Sequence, residues 1–340
     1  MVKVGVIGLG MMGLTHLEAY SKRDDVVVAA IADQDSKRLS GESLAEGNLD
    51  GLAKGGFDYT SVKKYTNAMD LIEDTEIDLV DICLPTPLHK LFMEAAVQAG
   101  KHVLIEKPLA RTSTDAFEMV RLSEQSNQVI MPAMCMRFWP GWDWLKNAID
   151  NGTYGKVLSA NFRRLGQQPA GAFYENGDLN GGGLLDIHIH DTDFIHHCFG
   201  MPKAVYSQGY CSRTNEVDHV ITQYIYDEIP LVVAEGGWWP IDNCPFVMTF
   251  TVTFEKAVAY FDIADGNNIR LVEQGAEPHV LEMSNDMGYD GEIAYMIECI
   301  QSKKKPVRVT MLQAANTMLI SEAERLSVRT GQLALVNPSK

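Results

Sequence analysis

The sequence predicts an α/β protein in which a doubly wound parallel sheet precedes a second, mainly antiparallel sheet. Apolar runs alternate with helical patterns through about the first third of the chain, as expected for βαβ units. A glycine-rich turn directly follows the first of these runs. Beyond about residue 150, strand-like runs recur with short polar turns between them, which is typical of antiparallel strands.

The apolar runs and the turn residues between them indicate the individual elements. In the first part we predict strands at 2–7, 26–32, 79–84, 102–105 and 129–133, with helices at 14–22, 37–53, 90–99 and 114–127. In the second part we predict strands at 157–163, 204–209, 220–226, 231–234, 246–254, 257–261 and 269–273, with helices at 184–198, 291–301 and 311–329. We therefore expect one domain over residues 1–130 and another over residues 131–340.

The composition is that of a globular chain with little affinity for polyanions. The formal net charge of −16 disfavours nucleic acid and anionic membrane surfaces as partners. The six cysteines are scattered and form no Cys-x-x-Cys pair, which favours reduced thiols. The N-terminus lacks the pattern of a secretory signal, and no segment is long and apolar enough to span a bilayer. We expect a cytoplasmic protein.

The turn Gly8-x-Gly10-x-x-Gly13 lies between a predicted strand and a predicted helix, the context of a dinucleotide site. Gly8 permits the tight turn, Gly10 lets the backbone approach a pyrophosphate, and Gly13 allows close helix–strand packing. The start of the following helix would then face the phosphates. The alternative is a glycine-rich turn that binds no ligand.

Asp33 follows Gly13 by 20 residues and ends the next predicted strand. A carboxylate there suits the ribose 2′-hydroxyl of NAD and would repel the 2′-phosphate of NADP. Lys37 and Arg38 lie close by in sequence, and their positive charges could attract a 2′-phosphate and so reduce the preference for NAD. NAD is therefore the favoured cofactor, with NADP as the alternative.

Lys107 follows a buried apolar run and precedes Pro108. Proline restricts the preceding residue to an extended backbone, so the fold sets the direction of this lysine. An ammonium at the end of a sheet can hold a substrate hydroxyl and stabilise developing alkoxide charge. A solvated surface lysine is the alternative.

Asp186 and His190 are four residues apart in a predicted helix whose other positions are mostly apolar. When a buried helix carries one polar stripe, we expect that stripe to face a site or a binding partner. The alternative is a surface ion pair, which would be expected on a helix with a polar, solvated surface. The ordinary pKa of histidine, near 6.5, suits a general base at neutral pH. Asp193 and His197 continue the stripe, and we assign them structural roles.

A metal site is the rival interpretation of this segment. His188, His190, His196 and His197 fall within ten residues, and imidazole is a common ligand. No pair matches His-Glu-x-x-His, and His188 and His190 point to different sides of a helix. We therefore predict no metal.

Together these motifs resemble the Gfo/Idh/MocA oxidoreductases, named for glucose–fructose oxidoreductase and inositol dehydrogenase. The resemblance covers nearly the whole chain. It is carried by the glycine turn, by Asp81-Ile82-Cys83-Leu84-Pro85-Thr86-Pro87-Leu88-His89, by residues 99–108 with Glu106-Lys107-Pro108, by Arg137-Phe138, by Gly152-x-x-Gly155-Lys156-Val157, and by residues 181–193. The chain departs from the family at His188, where glycine is frequent, at Trp139, and in an expanded stretch at 41–57.

The resemblance implies a Rossmann domain, then an α/β domain with a large, open, mainly antiparallel sheet, and an active site between the two. It also implies NAD(P), a sugar, polyol or sugar derivative as substrate, and a homodimer or homotetramer formed through the open sheet. We expect no nucleic-acid or membrane partner.

The combined site assignment follows from the motifs and the resemblance. The expected cofactor-binding residues are Gly8, Gly10, Met11, Met12, Gly13, Asp33, Arg38, Pro85, Thr86, His89, Glu106 and Lys107. The expected substrate-binding residues are Lys107, Arg137, Trp139, Asp186 and His190, with His188 as a further candidate. The expected catalytic residues are Lys107, Asp186 and His190.

The predicted reaction is hydride transfer between a nicotinamide cofactor and a secondary hydroxyl of a sugar, an inositol-like polyol or a sugar derivative. His190 accepts the hydroxyl proton, Lys107 polarises the oxygen, and Asp186 orients His190 or binds a neighbouring hydroxyl. Whether Lys107 or His190 takes the proton first is left open. Two alternatives are redox-assisted glycoside cleavage with NAD kept bound, and a non-catalytic NAD-sensing regulator on the same fold.

Overall fold

The computed structural model describes residues 1–42 and 57–336. The chain divides into two compact units, of which the first contains Met1–Cys135 and Tyr289–Ala315. The second contains Met136–Gly288 and Asn316–Lys340. This division differs from the expected one, because a segment near the C-terminus belongs to the first unit. Helical periodicity shows that this segment is amphipathic but does not show which sheet it covers.

The first unit contains a six-stranded parallel sheet, with strand order β3-β2-β1-β4-β5-β6. Its strands are β1 (Val2–Ile7), β2 (Val26–Ala32), β3 (Lys63–Tyr65), β4 (Leu79–Ile82), β5 (His102–Ile105) and β6 (Ile130–Pro132). Its helices up to that point are α1 (Met11–Ser21), α2 (Ser36–Ser40), α3 (Ala68–Glu73), α4 (His89–Gln98) and α5 (Ser113–Gln125). The predicted doubly wound parallel sheet is confirmed.

The second unit contains a nine-stranded sheet, with order β14-β13-β12-β11-β7-β10-β9-β8-β15. Its strands are β7 (Val157–Gly166), β8 (Ala204–Tyr210), β9 (His219–Ile225), β10 (Leu231–Trp238), β11 (Val247–Phe254), β12 (Ala257–Asp262), β13 (Ile269–Glu273), β14 (His279–Leu281) and β15 (Ala334–Leu335). Its helices before β8 are α6 (Pro140–Asp150), α7 (Ala172–Glu175), α8 (Gly177–Asn180), a π-helix (Leu184–His188) and α9 (Ile189–Phe199). Two further helices precede β15 in the chain: α10 (Gly288–Ser302), of which all but the first residue belongs to the first unit, and α11 (Met311–Thr330), which belongs to the second unit from Asn316 onward. The pairing is antiparallel except between β7 and β10, so the expected mainly antiparallel sheet is confirmed.

Several elements differ from the sequence prediction. The expected helix at 37–53 is realised as the short helix α2, and residues 43–56 lie outside the described part of the chain. The elements β3, α3 and α6 were missed. The strand β3 has only three residues, two of them lysines, so it carries no apolar alternation that sequence reasoning could detect.

An aromatic cluster forms the centre of the second unit. Trp142 of α6 meets Phe194 of α9 edge-on, with the ring centroids 4.7 Å apart. Phe250 and Phe261, on the adjacent strands β11 and β12, stack with centroids 5.3 Å apart. Such pairs stabilise beyond the burial of their area. The cluster anchors α9, the helix that carries His190, against the sheet.

The opposite face of this sheet is exposed and partly apolar. In the β-ladders, Ile221 lies opposite Glu235 and Tyr260 lies opposite Thr251, which places them on the side away from the buried residues of the same strands. We call the exposed side the open face, defined by Tyr206, Tyr210, Ile221 and Tyr260. Within the described residues, no helix combines the length and hydropathy needed to cross a membrane.

Candidate active site

The glycine turn has the geometry that its sequence predicts. Gly8 has φ +91°, and a Cβ there would lie 2.5 Å from the carbonyl oxygen of Cys83. A Cβ on Gly13 would lie 1.9 Å from the carbonyl oxygen of Gly8. At Gly10, by contrast, an added Cβ meets nothing within 4 Å. Two of the glycines are therefore required by packing, while the third borders open space that a ligand can occupy.

The N-terminus of α1 suits an anionic group. Gly10 is its N-cap, no side chain caps the helix, and its first turn contains no acidic residue. Met11 and Met12 begin the helix and are partly exposed. The first N–H groups of a helix have no intrahelical acceptor and carry the positive end of its dipole. This cradle fits the pyrophosphate of a dinucleotide.

Asp33 is held at the turn by the backbone. Its Oδ2 accepts a hydrogen bond from the Leu9 N–H at 2.8 Å, and its Oδ1 accepts one from the Asp35 N–H at 2.8 Å. Arg38 lies near it, with Nη1 3.7 Å from Oδ2. The carboxylate is thus fixed at the end of β2, where each oxygen keeps a further lone pair for a ribose hydroxyl.

The segment after β4 places Pro85, Thr86 and His89 at the same edge of the sheet, the carboxyl ends of the parallel strands. Pro85 is exposed and Thr86 is buried. His89 is buried, with Nε2 2.7 Å from the Leu84 carbonyl oxygen and Nδ1 3.0 Å from the Pro108 carbonyl oxygen. Burial lowers its pKa. The ring joins the two segments instead of reaching outward, which argues against the expected direct contact between its side chain and the cofactor.

Lys107 ends the β5 segment. Among residues 103–110 it alone is not buried. Glu106 is buried, and its Oε2 accepts a hydrogen bond from the Lys107 N–H at 2.9 Å. The fold therefore presents the lysine side chain outward and turns the adjacent carboxylate inward, so Glu106 is a support for Lys107 more than an exposed cofactor ligand.

Asp186 and His190, in the second unit, are also partly exposed residues in a buried segment. Of residues 181–196, they are the two that are not buried. Asp186 lies in a π-helix, whereas the sequence predicted one continuous α-helix. π-Helical segments are rare in proteins, and those that do occur are frequently found at functional sites. Asp186 and His190, the first half of the polar stripe inferred from the sequence, are therefore the partly exposed positions of this segment, whereas Asp193 of the same stripe is buried.

The glycines before this helix allow its close approach to the sheet. A Cβ on Gly183 would lie 2.1 Å from the Asp218 carbonyl oxygen and 2.8 Å from the Trp238 backbone nitrogen. The indole Nε1–H of Trp238 donates to Oδ2 of Asp186 at 3.0 Å. Sequence reasoning missed Trp238, because the contact joins residues 52 positions apart. Its only signal was a tryptophan at the end of a strand beside two glycines.

The expected role of Arg137 in substrate binding does not fit its surroundings. The guanidinium is fully buried and donates to both carboxylate oxygens of Asp193, at 2.8 Å and 2.6 Å. Asp193 also accepts from the Thr317 hydroxyl at 3.1 Å. Arg137 is a core residue that ties α9 to the segment before α6. These contacts agree with the structural role assigned to Asp193.

His188 is also a core residue and not an exposed substrate contact. It is buried, with Nε2 3.0 Å from Oε1 of Glu324 and 3.2 Å from the Tyr224 hydroxyl. A Cβ on Gly236 would lie 2.5 Å from its Nδ1, so glycine in β10 makes room for the imidazole. Trp139 is half-buried and donates its indole N–H to Asn267 at 2.9 Å.

One group of possible metal ligands occurs among the described residues, and it lies apart from the His188–His197 segment. His16, Asp81 and Cys83 have their ligand atoms within 4.8 Å of one another. His16 Nδ1 and Asp81 Oδ2 are 2.9 Å apart, a hydrogen-bond distance. Two ligands of a tetrahedral zinc ion, with bonds of about 2.1 Å, would be separated by roughly 3.4 Å. Burial raises the pKa of the Cys83 thiol, which opposes the thiolate that a metal needs. The group is better described as a hydrogen-bonded cluster.

The match to known families covers both units. Residues 2–134 match the family described as "Oxidoreductase family, NAD-binding Rossmann fold". Residues 142–239 match the "GFO/IDH/MocA C-terminal domain". A dinucleotide cradle on a doubly wound sheet and a second unit of this type define an NAD-binding oxidoreductase. The chain belongs to the Gfo/Idh/MocA oxidoreductase family, as the motifs indicated.

Individual relatives give a consistent picture. Myo-inositol 2-dehydrogenase of Thermotoga maritima is 32% identical over 211 residues, which are 61% of this chain and 58% of that protein. Levoglucosan dehydrogenase of Pseudarthrobacter phenanthrenivorans is 30% identical over 210 residues, 60% of this chain and 53% of that protein. The matched regions thus span less than two thirds of these relatives. A solved levoglucosan dehydrogenase, in complex with NADH and levoglucosan, has a TM-score of 0.84 at 20% identity and covers 99% of this chain and 100% of its own, which shows the same fold.

Proposed function

We propose that this protein is an NAD-dependent dehydrogenase that transfers a hydride between the nicotinamide and a secondary hydroxyl of a sugar, cyclic polyol or sugar derivative. The observation that supports this most strongly is the partial exposure of Asp186 and His190 within an otherwise buried segment. A carboxylate and an imidazole left accessible in this way are suited to proton transfer and to binding hydroxyl groups.

The residues that would hold the cofactor have a geometry that fits it. The backbone of the Gly8–Gly13 turn and the start of α1 would bind the pyrophosphate, and Asp33 would bind the ribose hydroxyls. When bound, the nicotinamide supplies the hydride acceptor or donor. The buried Glu106 accepts a hydrogen bond from the Lys107 N–H and so holds the backbone from which the lysine side chain extends.

In our proposal three side chains act on the substrate hydroxyl. His190 accepts its proton during oxidation and returns it during reduction. Lys107 donates to the same oxygen and stabilises the negative charge that develops there. Asp186, oriented by Trp238, binds His190 or a neighbouring hydroxyl. The order of proton transfer between Lys107 and His190 is an open part of the proposal.

The substrate class is supported by the names of relatives. Those names include myo-inositol 2-dehydrogenase, levoglucosan dehydrogenase, D-glucoside 3-dehydrogenase and 1,5-anhydro-D-fructose reductase. All of these substrates carry several hydroxyl groups, and a site that offers a carboxylate, an imidazole and an ammonium has complementary donors and acceptors. We therefore propose a polyhydroxylated substrate without choosing among these compounds.

We further propose that the open face forms a contact between copies of this chain, as a homodimer or homotetramer. Its apolar members are large and exposed, with Ile221 at 48% and Tyr260 at 41%. Large apolar side chains exposed on one face of a sheet are a common feature of interaction sites. The Arg163–Glu235 ion pair lies on the same face and would contribute to the polar rim of such an interface.

The deciding experiment is a reduction screen of NAD+ and NADP+ with inositols, hexoses, pentoses, anhydro-sugars and glycosides. We expect NADH to accumulate with at least one free sugar or polyol. Release of an aglycone without net NADH would instead support redox-assisted glycoside cleavage. If NAD binds and no compound turns over, the dehydrogenase proposal fails and an NAD-sensing regulator is the better description.

A further inference from the structure

A buried ionic cluster lies beneath the nucleotide turn and is not used in the mechanism above. His16 of α1 is fully buried, with Nδ1 2.9 Å from Oδ2 of Asp81. On its other side, Nε2 lies 3.2 Å from Oε1 of Glu106. The second contact is an ion pair more than a well-formed hydrogen bond, since Nε2 has no hydrogen-bond partner of good geometry. The imidazole therefore lies between two carboxylates.

This arrangement favours a charged ring. A neutral imidazole carries one N–H, whereas a carboxylate faces each nitrogen of His16. Burial lowers the pKa of His16, but the charge of Asp81, the neighbouring Cys83 and the hydrogen bonds to both together outweigh burial and leave the pKa well above its ordinary value. The cluster thus has one buried cation shared by two buried anions.

The other titratable groups around His16 are compatible with that charge. From its own helix, Tyr20 donates to Oδ2 of Asp81 at 3.0 Å. Beyond the end of β4, Cys83 Sγ lies 3.5 Å from Nδ1. From α10, the Tyr289 ring lies 6.3 Å from the imidazole, centroid to centroid. Burial raises the pKa of all three groups, so they remain neutral near pH 7.

Glu106 connects this cluster to the site. Its Oε1 faces His16, while its Oε2 accepts the hydrogen bond from the Lys107 backbone. A carboxylate that is paired on one oxygen cannot rotate without breaking the contact on the other. The position of the Lys107 backbone therefore depends on the charge state of a residue 91 positions earlier in the chain.

We propose that His16, held between Asp81 and Glu106, is a positioning residue that fixes Glu106 and thereby the backbone from which the Lys107 side chain extends. The contact to Lys107 is structural and stands by itself. Only its effect on turnover depends on the proposed dehydrogenase function. Removing the cation leaves two buried carboxylates uncompensated, and Glu106 then turns toward water or takes up a proton.

The first test concerns the charge. In uniformly ¹⁵N-labelled protein, His16 is assigned as the imidazole signal that disappears in His16→Asn. We expect both of its ring nitrogens to be protonated at pH 8, about 1.5 units above the ordinary pKa of histidine. A single-proton tautomer at that pH overturns the proposal, whatever the activity of the protein.

The second test concerns position. The Asn side chain can reach Asp81 as Nδ1 does, but it cannot also reach Glu106. We expect His16→Asn to change the acylation rate of Lys107, measured by mass spectrometry against the other lysines, by at least about threefold. On an accepted substrate, kcat should fall by about tenfold or more while the NAD Kd stays within about threefold.

Tyr20→Phe is the matched control, because it removes a buried hydrogen bond to Asp81 but leaves the His16–Glu106 contact intact. It should retain the wild-type Lys107 reactivity. The double variant His16→Asn/Glu106→Gln removes the Glu106 charge, one of the two that His16→Asn leaves uncompensated, and should lose no more turnover than Glu106→Gln alone.

The outcomes separate the two proposals. If Lys107 reactivity and kcat in a folded His16→Asn protein equal those of the wild type, the positioning role is wrong. If His16→Asn and Tyr20→Phe change Lys107 reactivity equally, His16 has only a general structural role and the proposal also fails. If the wild type turns over no polyol but the ¹⁵N and Lys107 results are as expected, the positioning role stands and the dehydrogenase proposal fails.

Discussion

The indole N–H of Trp238 donates a hydrogen bond of 3.0 Å to Oδ2 of Asp186. Trp238 ends strand β10 and is fully buried, and its own backbone N–H donates to the Asp218 carbonyl at 2.7 Å. The sheet therefore constrains the orientation of a carboxylate that lies on a neighbouring helix. A polar group held in this way by a rigid element is preorganised for binding or catalysis.

Trp238→Phe tests this constraint. An aromatic ring smaller than the indole remains and the N–H is lost, so Asp186 loses the donor that orients it. We expect kcat to fall by about three- to tenfold, and the free energy of unfolding to fall by about 1 kcal/mol for one buried hydrogen bond, in addition to the loss caused by the smaller ring. Steady-state kinetics and urea denaturation measure the two effects.

Trp142→Phe is the matched control, because Trp142 is equally buried in the same unit but its Nε1 has no hydrogen-bond partner. It should lose stability through the smaller ring and keep kcat within about twofold. Equal losses of kcat in the two variants would mean that the Trp238–Asp186 contact has no special role.

Lys107→Met and His190→Asn test the proposed chemistry. Each should lower kcat by about a hundredfold or more, because general acid–base catalysis and charge stabilisation contribute on the order of 10² to 10⁴ each. The NAD Kd should change little, since neither residue belongs to the Gly8–Gly13 turn. Asp186→Asn should fall between the wild type and His190→Asn, with a shifted kcat pH profile. Retention of more than about a tenth of wild-type turnover by both single variants would refute the assignment.

Asp33→Ser tests the cofactor preference. The wild type should prefer NAD(H), because a carboxylate at the end of β2 accepts ribose hydroxyls and repels a 2′-phosphate. Removing it leaves Arg38, 3.7 Å away in the wild type, available to a phosphate. We expect the ratio of kcat/KM for NAD+ and NADP+ to decrease by about tenfold or more. A wild-type preference for NADP+ would contradict the proposal at the outset.

Arg137→Met tests the buried ion pair with Asp193. The variant should lose about 3–5 kcal/mol of stability, because it leaves a buried carboxylate without its cation. Arg137→Met/Asp193→Leu should recover part of that loss, since both charges are absent. Nearly equal stabilities for the two variants would show that the pair is not coupled.

The same pair predicts a pH dependence. Burial by itself raises the pKa of Asp193, but the Arg137 guanidinium outweighs it and lowers the pKa below its ordinary value. The pair therefore stabilises the protein fully above the unfolded pKa of about 3.9 and loses this effect as pH falls through the lower folded pKa. Urea midpoints between pH 7 and pH 3 should fall less steeply in the Arg137→Met/Asp193→Leu variant.

Ile221→Asp tests the open face as a contact between copies. A charge at its centre should dissociate the oligomer, and sedimentation velocity at micromolar concentration should then show a monomer. Val307→Asp is the control, since Val307 is exposed and apolar but belongs to the first unit. A wild type that sediments only as a monomer would rule out the proposed interface.

Much of the first unit could be predicted because its signals are local. The alternation of strand and helix, the glycine spacing and the distance from Gly13 to Asp33 are all properties of short segments. The β3 strand was missed since three residues carry no period. In the described part of the helix expected at 37–53, the helix α2 ends with Gly41 as its C-cap, which has a left-handed backbone.

The roles of individual polar residues were harder to predict. Arg137 and His188 have residue types that suit a substrate site, yet Asp193 and Glu324 hold them inside the core. His89 matches the motif but faces two carbonyl groups. The partners are 56, 136 and up to 19 residues away in sequence, and a sequence pattern contains no measure of such contacts.

The sequence by itself determined the class of fold, the dinucleotide turn and the small set of residues from which a site could be made. These follow from periodicity and from backbone requirements that operate within a few residues. Only the tertiary structure decided that Asp186 and His190 are partly exposed while Arg137 is buried, and that Trp238 contacts Asp186 and His16 contacts Glu106. The physical reason is that burial and pairing depend on contacts between distant segments, and the same side chain is a core ion pair or an accessible base according to what packs against it.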